Sequence, residues 1–242
     1  MTAVQTKNLT KRYKTKTAVD SLDLTVEEGE LFALLGVNGA GKTTTIRMLT
    51  CLSRPTQGEA FVCGHNVMTE STAVKSIIGI SPQDTAVAEN LTVRENLETI
   101  CRIYGFSKEK TEKRIVDMIE TFNLHDVENS RSKSLSGGWK RRLSIAMALV
   151  TEPKVLFLDE PTLGLDVLAR RELWAAIESL KGKITIILTT HYMEEAESLS
   201  DRIAIMLDGR IAAIGSLAEL EELSGEKGLE NSFVKIAEGG KR

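Results

Sequence analysis

Short apolar runs alternate with glycine, proline and charged punctuation along this chain, and run length separates strands from helices. Residues 4–9, 22–26 and 31–35 read as strands, with Glu28-Gly29 as a turn before the third. Residues 59–63 and 77–80 read as two more. The run at 155–158 is apolar without interruption, which predicts a strand buried on both faces, and 184–188 reads as the next core strand. Residues 203–207 and 211–214 flank Asp208-Gly209, a hairpin signal. From about residue 91 to about 150 the period becomes helical. Leu97, Ile100, Ile103 and Tyr104 follow a capping-box pattern at Thr92 and Glu95, and Ile115, Met118, Ile119 and Phe122 share one face of 108–122. Further helices are predicted over 42–52, 140–150, 167–180 and 192–199. A charged helix follows Ser216, and the tail to Arg242 is polar. The pattern predicts an α/β fold: a mainly parallel sheet, an N-terminal antiparallel β portion and an inserted helical subdomain.

Composition narrows the class. Hydrophobic residues are 42% of 242 and charged residues 27%, ordinary for a globular domain with a sizeable core. The formal net charge of −3 supplies no basic field, so nucleic acid is not an expected partner. Cys51, Cys63 and Cys101 are odd in number and lack metal-type spacing, which points to reduced thiols acting as small apolar side chains. No secretion leader is expected at the first residues, and no apolar run reaches membrane-spanning length.

The chemistry concentrates in a few stretches. Gly36-Val37-Asn38-Gly39-Ala40-Gly41-Lys42-Thr43 fits G-x-x-x-x-G-K-[ST], between a predicted strand and a predicted helix. The glycines let successive N–H groups line one nest, and the helix N-terminus adds partial positive charge there. Lys42 can reach terminal phosphates, and the Thr43 hydroxyl can ligate Mg²⁺. Asp159-Glu160 ends a buried strand, where one carboxylate suits Mg²⁺ and the other an attacking water. Gln83 and His191 follow other strand ends, and parallel strands present those ends at one edge. Ser136-Gly137-Gly138 opens a helix as a second anion-type cap, or simply as a well-capped helix start. Tyr13 in a cationic loop either stacks on a base or covers apolar surface. His65 and His125 read as surface residues.

In this order, with Leu135-Ser136-Gly137-Gly138 and the Gly164-Leu165-Asp166 loop, these motifs make the chain resemble the ATP-binding subunit of ABC transporters over about residues 2–225. The resemblance implies a P-loop NTPase core at 1–85 and 152–225, a helical subdomain at 86–151 and a tail at 226–242, all one ATPase domain. It implies that Tyr13 stacks on adenine. Asn38, Gly39, Ala40, Gly41, Lys42, Thr43 and Thr44 would hold ATP, and Thr43, Gln83 and Asp159 would serve Mg²⁺. Glu160 would polarise water, and His191 would contact the γ-phosphate. Ser136, Gly137 and Gly138 would close over ATP held by a second copy, with Asp166 at the dimer seam. A separate transmembrane permease is the implied partner, which would place the chain on the cytoplasmic face of the membrane. The stretches His191 to Glu197 and Leu229 to Lys235 resemble the drug- and lipid-exporting branch.

Trp139 stands where the family usually has Gln, and Leu163 where it usually has a small or polar residue. Trp offers one N–H donor and more bulk, which makes turnover less secure than binding. The alternative is a non-transport ABC-type ATPase or a regulatory subunit with little turnover. Against the first, the stretch from Gln83 to Leu135 is too short for the long coiled coil of chromosome ATPases, and the single motif set differs from the paired domains of translation-associated proteins. Against the second, Glu160 and His191 are both present.

Overall fold

The computed structural model describes residues 1–239; the end of the predicted tail, residues 240–242, lies outside them. Two sheets carry the fold. The first is antiparallel and built from β1 (Thr2–Tyr13), β2 (Lys16–Glu27), β4 (Gln57–Val62) and β5 (His65–Asn66), in the order β2-β1-β4-β5. β1 and β2 are longer than the apolar runs alone predict. Alternation of buried and exposed positions carries both strands past those runs, and Tyr13 ends β1 rather than sitting in a loop.

The second sheet is built from β3 (Leu31–Leu35), β6 (Ile78–Ser81), β7 (Val155–Asp159), β8 (Thr185–Thr190), β9 (Arg202–Leu207) and β10 (Arg210–Gly215). Its order is β10-β9-β3-β8-β7-β6; every neighbouring pair is parallel except the β9–β10 hairpin. β3 and β7 are buried at every residue, as uninterrupted apolar strands covered on both faces should be. Leu35 registers with Thr190, Asp159 with Thr189 and Ser81 with Leu158, so four strands end together at one edge.

The helices are α1 (Lys42–Leu49), α2 (Ser71–Ile77), α3 (Val93–Ile103), α4 (Lys108–Thr121), α5 (Gly137–Leu149), α6 (Val167–Glu178), α7 (Met193–Leu199), α8 (Leu217–Ser224) and α9 (Leu229–Gly239). The Thr92–Glu95 capping box forms at the start of α3. α2 lacks an amphipathic repeat long enough to announce itself. The predicted C-terminal helix is divided in two by Gly225, at φ 72°. α5 begins at Gly137, three residues before its apolar period does, because the Ser136 hydroxyl accepts the Trp139 N–H and closes the first turn.

Three apolar clusters hold these layers. One fills the space between the two sheets and α1, through Val4, Leu22, Phe32, Ile46 and Phe157. Another joins α3, α4, α5 and α6 to the other face of the main sheet through Leu97, Ile115, Leu143, Leu158 and Leu173. The third seats α8 and α9 on β3 and β9. No helix of the described residues is long and apolar enough to cross a membrane.

Candidate active site

The site begins with the tight passage from β3 into α1. A Cβ on Gly36 would stand 2.4 Å from the Met206 carbonyl oxygen, and one on Gly41 2.5 Å from that of Ala18. Gly41 also has φ 111°. Only glycine fits where two backbones approach this closely and the chain turns left-handed. The Lys42 side chain folds back over the loop it leaves, 4% exposed. Its Nζ donates to the Gly36 carbonyl at 2.7 Å and the Val37 carbonyl at 3.3 Å, and lies 3.4 Å from Glu160 Oε1.

The neighbouring strands bring the partners. Asp159, the last residue of β7, is 5% exposed; its Oδ1 accepts from Thr43 Oγ1 at 3.1 Å and Thr189 Oγ1 at 2.5 Å. Glu160 is the first residue beyond β7, with φ 47°, a conformation that costs a non-glycine residue on the order of 1 kcal/mol. Its backbone N–H donates to Thr189, through both the carbonyl and the hydroxyl at 3.1 Å, and these bonds hold the turn. That turn swings the Glu160 carboxylate towards Lys42 and His191. His191 Nδ1 lies 3.0 Å from Glu160 Oε2, but off the direction of a hydrogen bond.

These groups open on a cleft of about 430 Å³, within the size range of ligand pockets. Asn38, Gly39, Gly41, Lys42, Thr43, Thr44, Gln83, Glu160 and His191 line it. Ala40 is buried behind the loop, and Asp159 reaches the cleft through Thr43. Lys16, Ala18 and Leu163 complete the lining. Tyr13 is not part of it. The tyrosine stands at the hairpin tip, 45% exposed, with Lys11 Nζ 5.0 Å from its ring centre.

Ser136, Gly137, Gly138 and Asp166 also lie outside the cleft. Ser136 and Gly137 are exposed at the start of α5. Asp166 caps α6, its Oδ1 accepting from the N–H groups of Leu168 and Ala169 at 3.0 and 2.9 Å. The two helix starts are neighbours, for a Cβ on Gly138 would lie 3.3 Å from that of Ala169. Trp139 packs inward against the helical cluster, with the Arg142 guanidinium 4.7 Å above its ring. His65 pairs with Glu70 at the surface, and His125 is exposed.

Three contributors carry no sequence signal of their own. Thr189 is an ordinary strand threonine until the register sets it beside Asp159. Lys16 is one of several cations near the hairpin tip. Glu195 belongs to an acidic helix, yet it is fully buried, and Trp174 Nε1 donates to its Oε1 at 3.1 Å. Burial pushes its carboxyl pKa up, against the pull of the nearby Thr190 and Thr162 hydroxyls, the Trp174 hydrogen bond and the charge of Arg170. A raised acid pKa means that folding takes up a proton once the unfolded carboxyl ionises, above about pH 4.5. Stability is therefore expected to fall as pH rises from there towards the folded pKa. Glu195→Gln keeps the shape without the charge, and denaturant titrations from about pH 5 to about pH 8 should show a flatter decline than in the parent. An unchanged slope would mean that Glu195 folds as a charged group.

The comparisons agree with this geometry. The family model described as "ABC transporter" matches residues 19–163, more than half of the chain. The chain is 42% identical over 240 residues to the daunorubicin resistance ATP-binding protein DrrA3 of Streptomyces coeruleorubidus, covering 99% of this chain and 75% of that one. It is 42% identical over 212 residues to the Nod factor export ATP-binding protein I of Burkholderia orbicola, covering 87% and 69%. A solved ATP-binding subunit of an ABC transporter superposes with a TM-score of 0.87 at 29% identity, over 97% of this chain and 99% of the other. A dimeric ATP-binding cassette in a post-hydrolysis state with ADP and Pi gives 0.80 at 28% identity, over 88% and 98%. The glycine cradle, the two strand-end carboxylates and these matches place the chain in the ABC transporter family, among its ATP-binding ATPase subunits.

Proposed function

We propose that this chain powers export through a separate membrane subunit, by an ATP-driven cycle in which two copies close head to tail. The observation that carries the reading is the division of the anion-binding elements. One chain holds the cradle, Lys42 and Glu160 in a cleft, while its second cap, at Ser136 and Gly137, faces solvent elsewhere. Two copies related by a two-fold axis would bring each cap over the other's cleft.

Within that dimer Lys42, Thr44 and the amides of residues 38–41 hold the phosphates, and Tyr13 stacks on the base. Ser136, Gly137 and Gly138 give donors to the partner's γ-phosphate. Asp166, beside Gly138, lies at the seam. The residues fit Mg²⁺: Thr43 and Asp159 offer hard oxygens, already joined by the hydrogen bond from the Thr43 hydroxyl to Asp159, and Gln83 adds an amide oxygen. Mg²⁺, when bound, neutralises charge on the phosphates. Glu160 polarises the attacking water, and His191 contacts the γ-phosphate from the neighbouring strand end.

The membrane subunit has a fitting place to dock. An apolar groove of about 390 Å³ runs between the main sheet and the helices, lined by Ile80, Pro82, Ala86, Ile100, Tyr104 and Met147. It adjoins the Gln83 loop, so nucleotide and cargo channel can be linked there. A chain docked there would work on the cytoplasmic face of the membrane. Export is the direction that the similarity to the Nod factor export protein supports.

Gly137→Asp tests the division. A Cβ at Gly137 meets nothing within 4 Å, so the variant should fold. It should bind ATP as the parent does, within about twofold, and lose turnover by about 10²-fold. A large loss of ATP affinity would mean that the cap serves its own chain's nucleotide.

A further inference from the structure

Arg141 is buried, 4% exposed, one turn into α5. Among the described residues no carboxylate lies within ion-pair distance of it. Its two terminal nitrogens instead hold successive carbonyls of one loop: Nη1 donates to Pro82 at 2.6 Å and Nη2 to Gln83. Nη2 also stands 3.5 Å from the Glu160 carbonyl. Burying a guanidinium without a paired anion is costly, and a planar fork has the shape to hold two carbonyls in fixed directions. Asp159, Asp84 and Glu195 contribute favourable charge at longer range.

From this contact set we infer that Arg141 is the positioning residue that joins the partner-facing cap to the chain's own Gln83 and Glu160. The inference rests on the head-to-tail reading above and deepens it. The helix that starts at Ser136 carries Arg141, and Arg141 grips the backbone of the two residues assigned to metal and water. A rotation of α5 as the cap meets the partner's phosphate therefore turns the Gln83 loop in the chain's own cleft. Each site thus senses whether the other is closed. Neither carbonyl can be substituted, so the link is carried by the arginine alone. Lysine, a point donor on a flexible stem, cannot hold both carbonyls in the same plane.

ATP turnover by the purified chain tests this with Arg141→Lys, Gln83→Ala and the double variant. Arg141→Lys should lower kcat about tenfold with KM within about twofold, and raise the Mg²⁺ concentration for half-maximal rate. If Arg141 acts through Gln83, adding the lysine to Gln83→Ala should cost no more than about twofold further. Should Arg141→Lys melt below the assay temperature, Arg141→Gln, which keeps N–H donors on a shorter stem, replaces it. Losses that multiply in the double variant, or a raised KM at unchanged kcat, overturn the role of Arg141 and leave the dimer reading standing. No turnover in the parent chain would overturn both.

Discussion

Glu160→Gln is expected to slow ATP turnover by about 10²- to 10⁴-fold, the range for removing a general base, and to hold two chains together around ATP. The substitution preserves shape, and the amide keeps contacts to Lys42 and His191. It removes the basic oxygen that polarises water. It also removes a negative charge beside the triphosphate, so the ATP-bound closed form gains stability as hydrolysis stops. Sedimentation with ATP and Mg²⁺ should show the variant at twice the mass of the parent, with ATP retained. Parent-like turnover would remove Glu160 from its role. A variant that stays monomeric with ATP bound would sink the head-to-tail closure.

Lys42→Ala has the second large effect, and the structure gives it two parts. Lys42 supplies charge to the phosphates, and a hydrogen bond to a charged group contributes about 1.5–3 kcal/mol, so ATP affinity should fall about 10- to 100-fold. Part of that is offset, because Lys42 already spends its donors on Gly36 and Val37 and must release them to take phosphate. The second part appears without nucleotide. Glu160 is 7% exposed and Lys42 is its nearby cation, so truncation leaves a buried carboxylate uncompensated. Melting of the ATP-free variant should drop, by an amount that Lys42→Ala combined with Glu160→Gln largely restores. Unchanged ATP affinity would contradict the assignment of the cradle. Unchanged melting would show that Glu160 finds other partners when Lys42 is gone.

Much of this protein was legible in one dimension where a residue type has only one economical use. Three glycines before Lys42-Thr43 suit a backbone nest. The uninterrupted apolar run at 155–158 requires cover on both faces, and the mostly apolar run at 184–188 continues the pattern, so strands, a parallel sheet and the edge that carries Asp159 and His191 followed from local composition. The capping box at Thr92 and the hairpin at Asp208-Gly209 were readable for the same reason: their bonds are made within a few residues. What local pattern could not carry was any relation set by register or by a helix's rotation. Three cations in a row, Lys140, Arg141 and Arg142, look alike in the chain, and only packing turns Arg141 onto the Gln83 loop. Glu195 reads as one of several acidic residues until α7 lies against Trp174, and Thr189 acquires its role when β8 slides into line with β7. Tyr13 was expected among the nucleotide's neighbours, and in the single chain it stands apart at the hairpin tip, with Lys16 and Ala18 lining the cleft in its place. Sequence alone determined which chemical groups arrive at the strand ends, because those depend on neighbours along the chain. The tertiary structure decided which of them touch and which face solvent, because contact and burial depend on elements far apart in sequence.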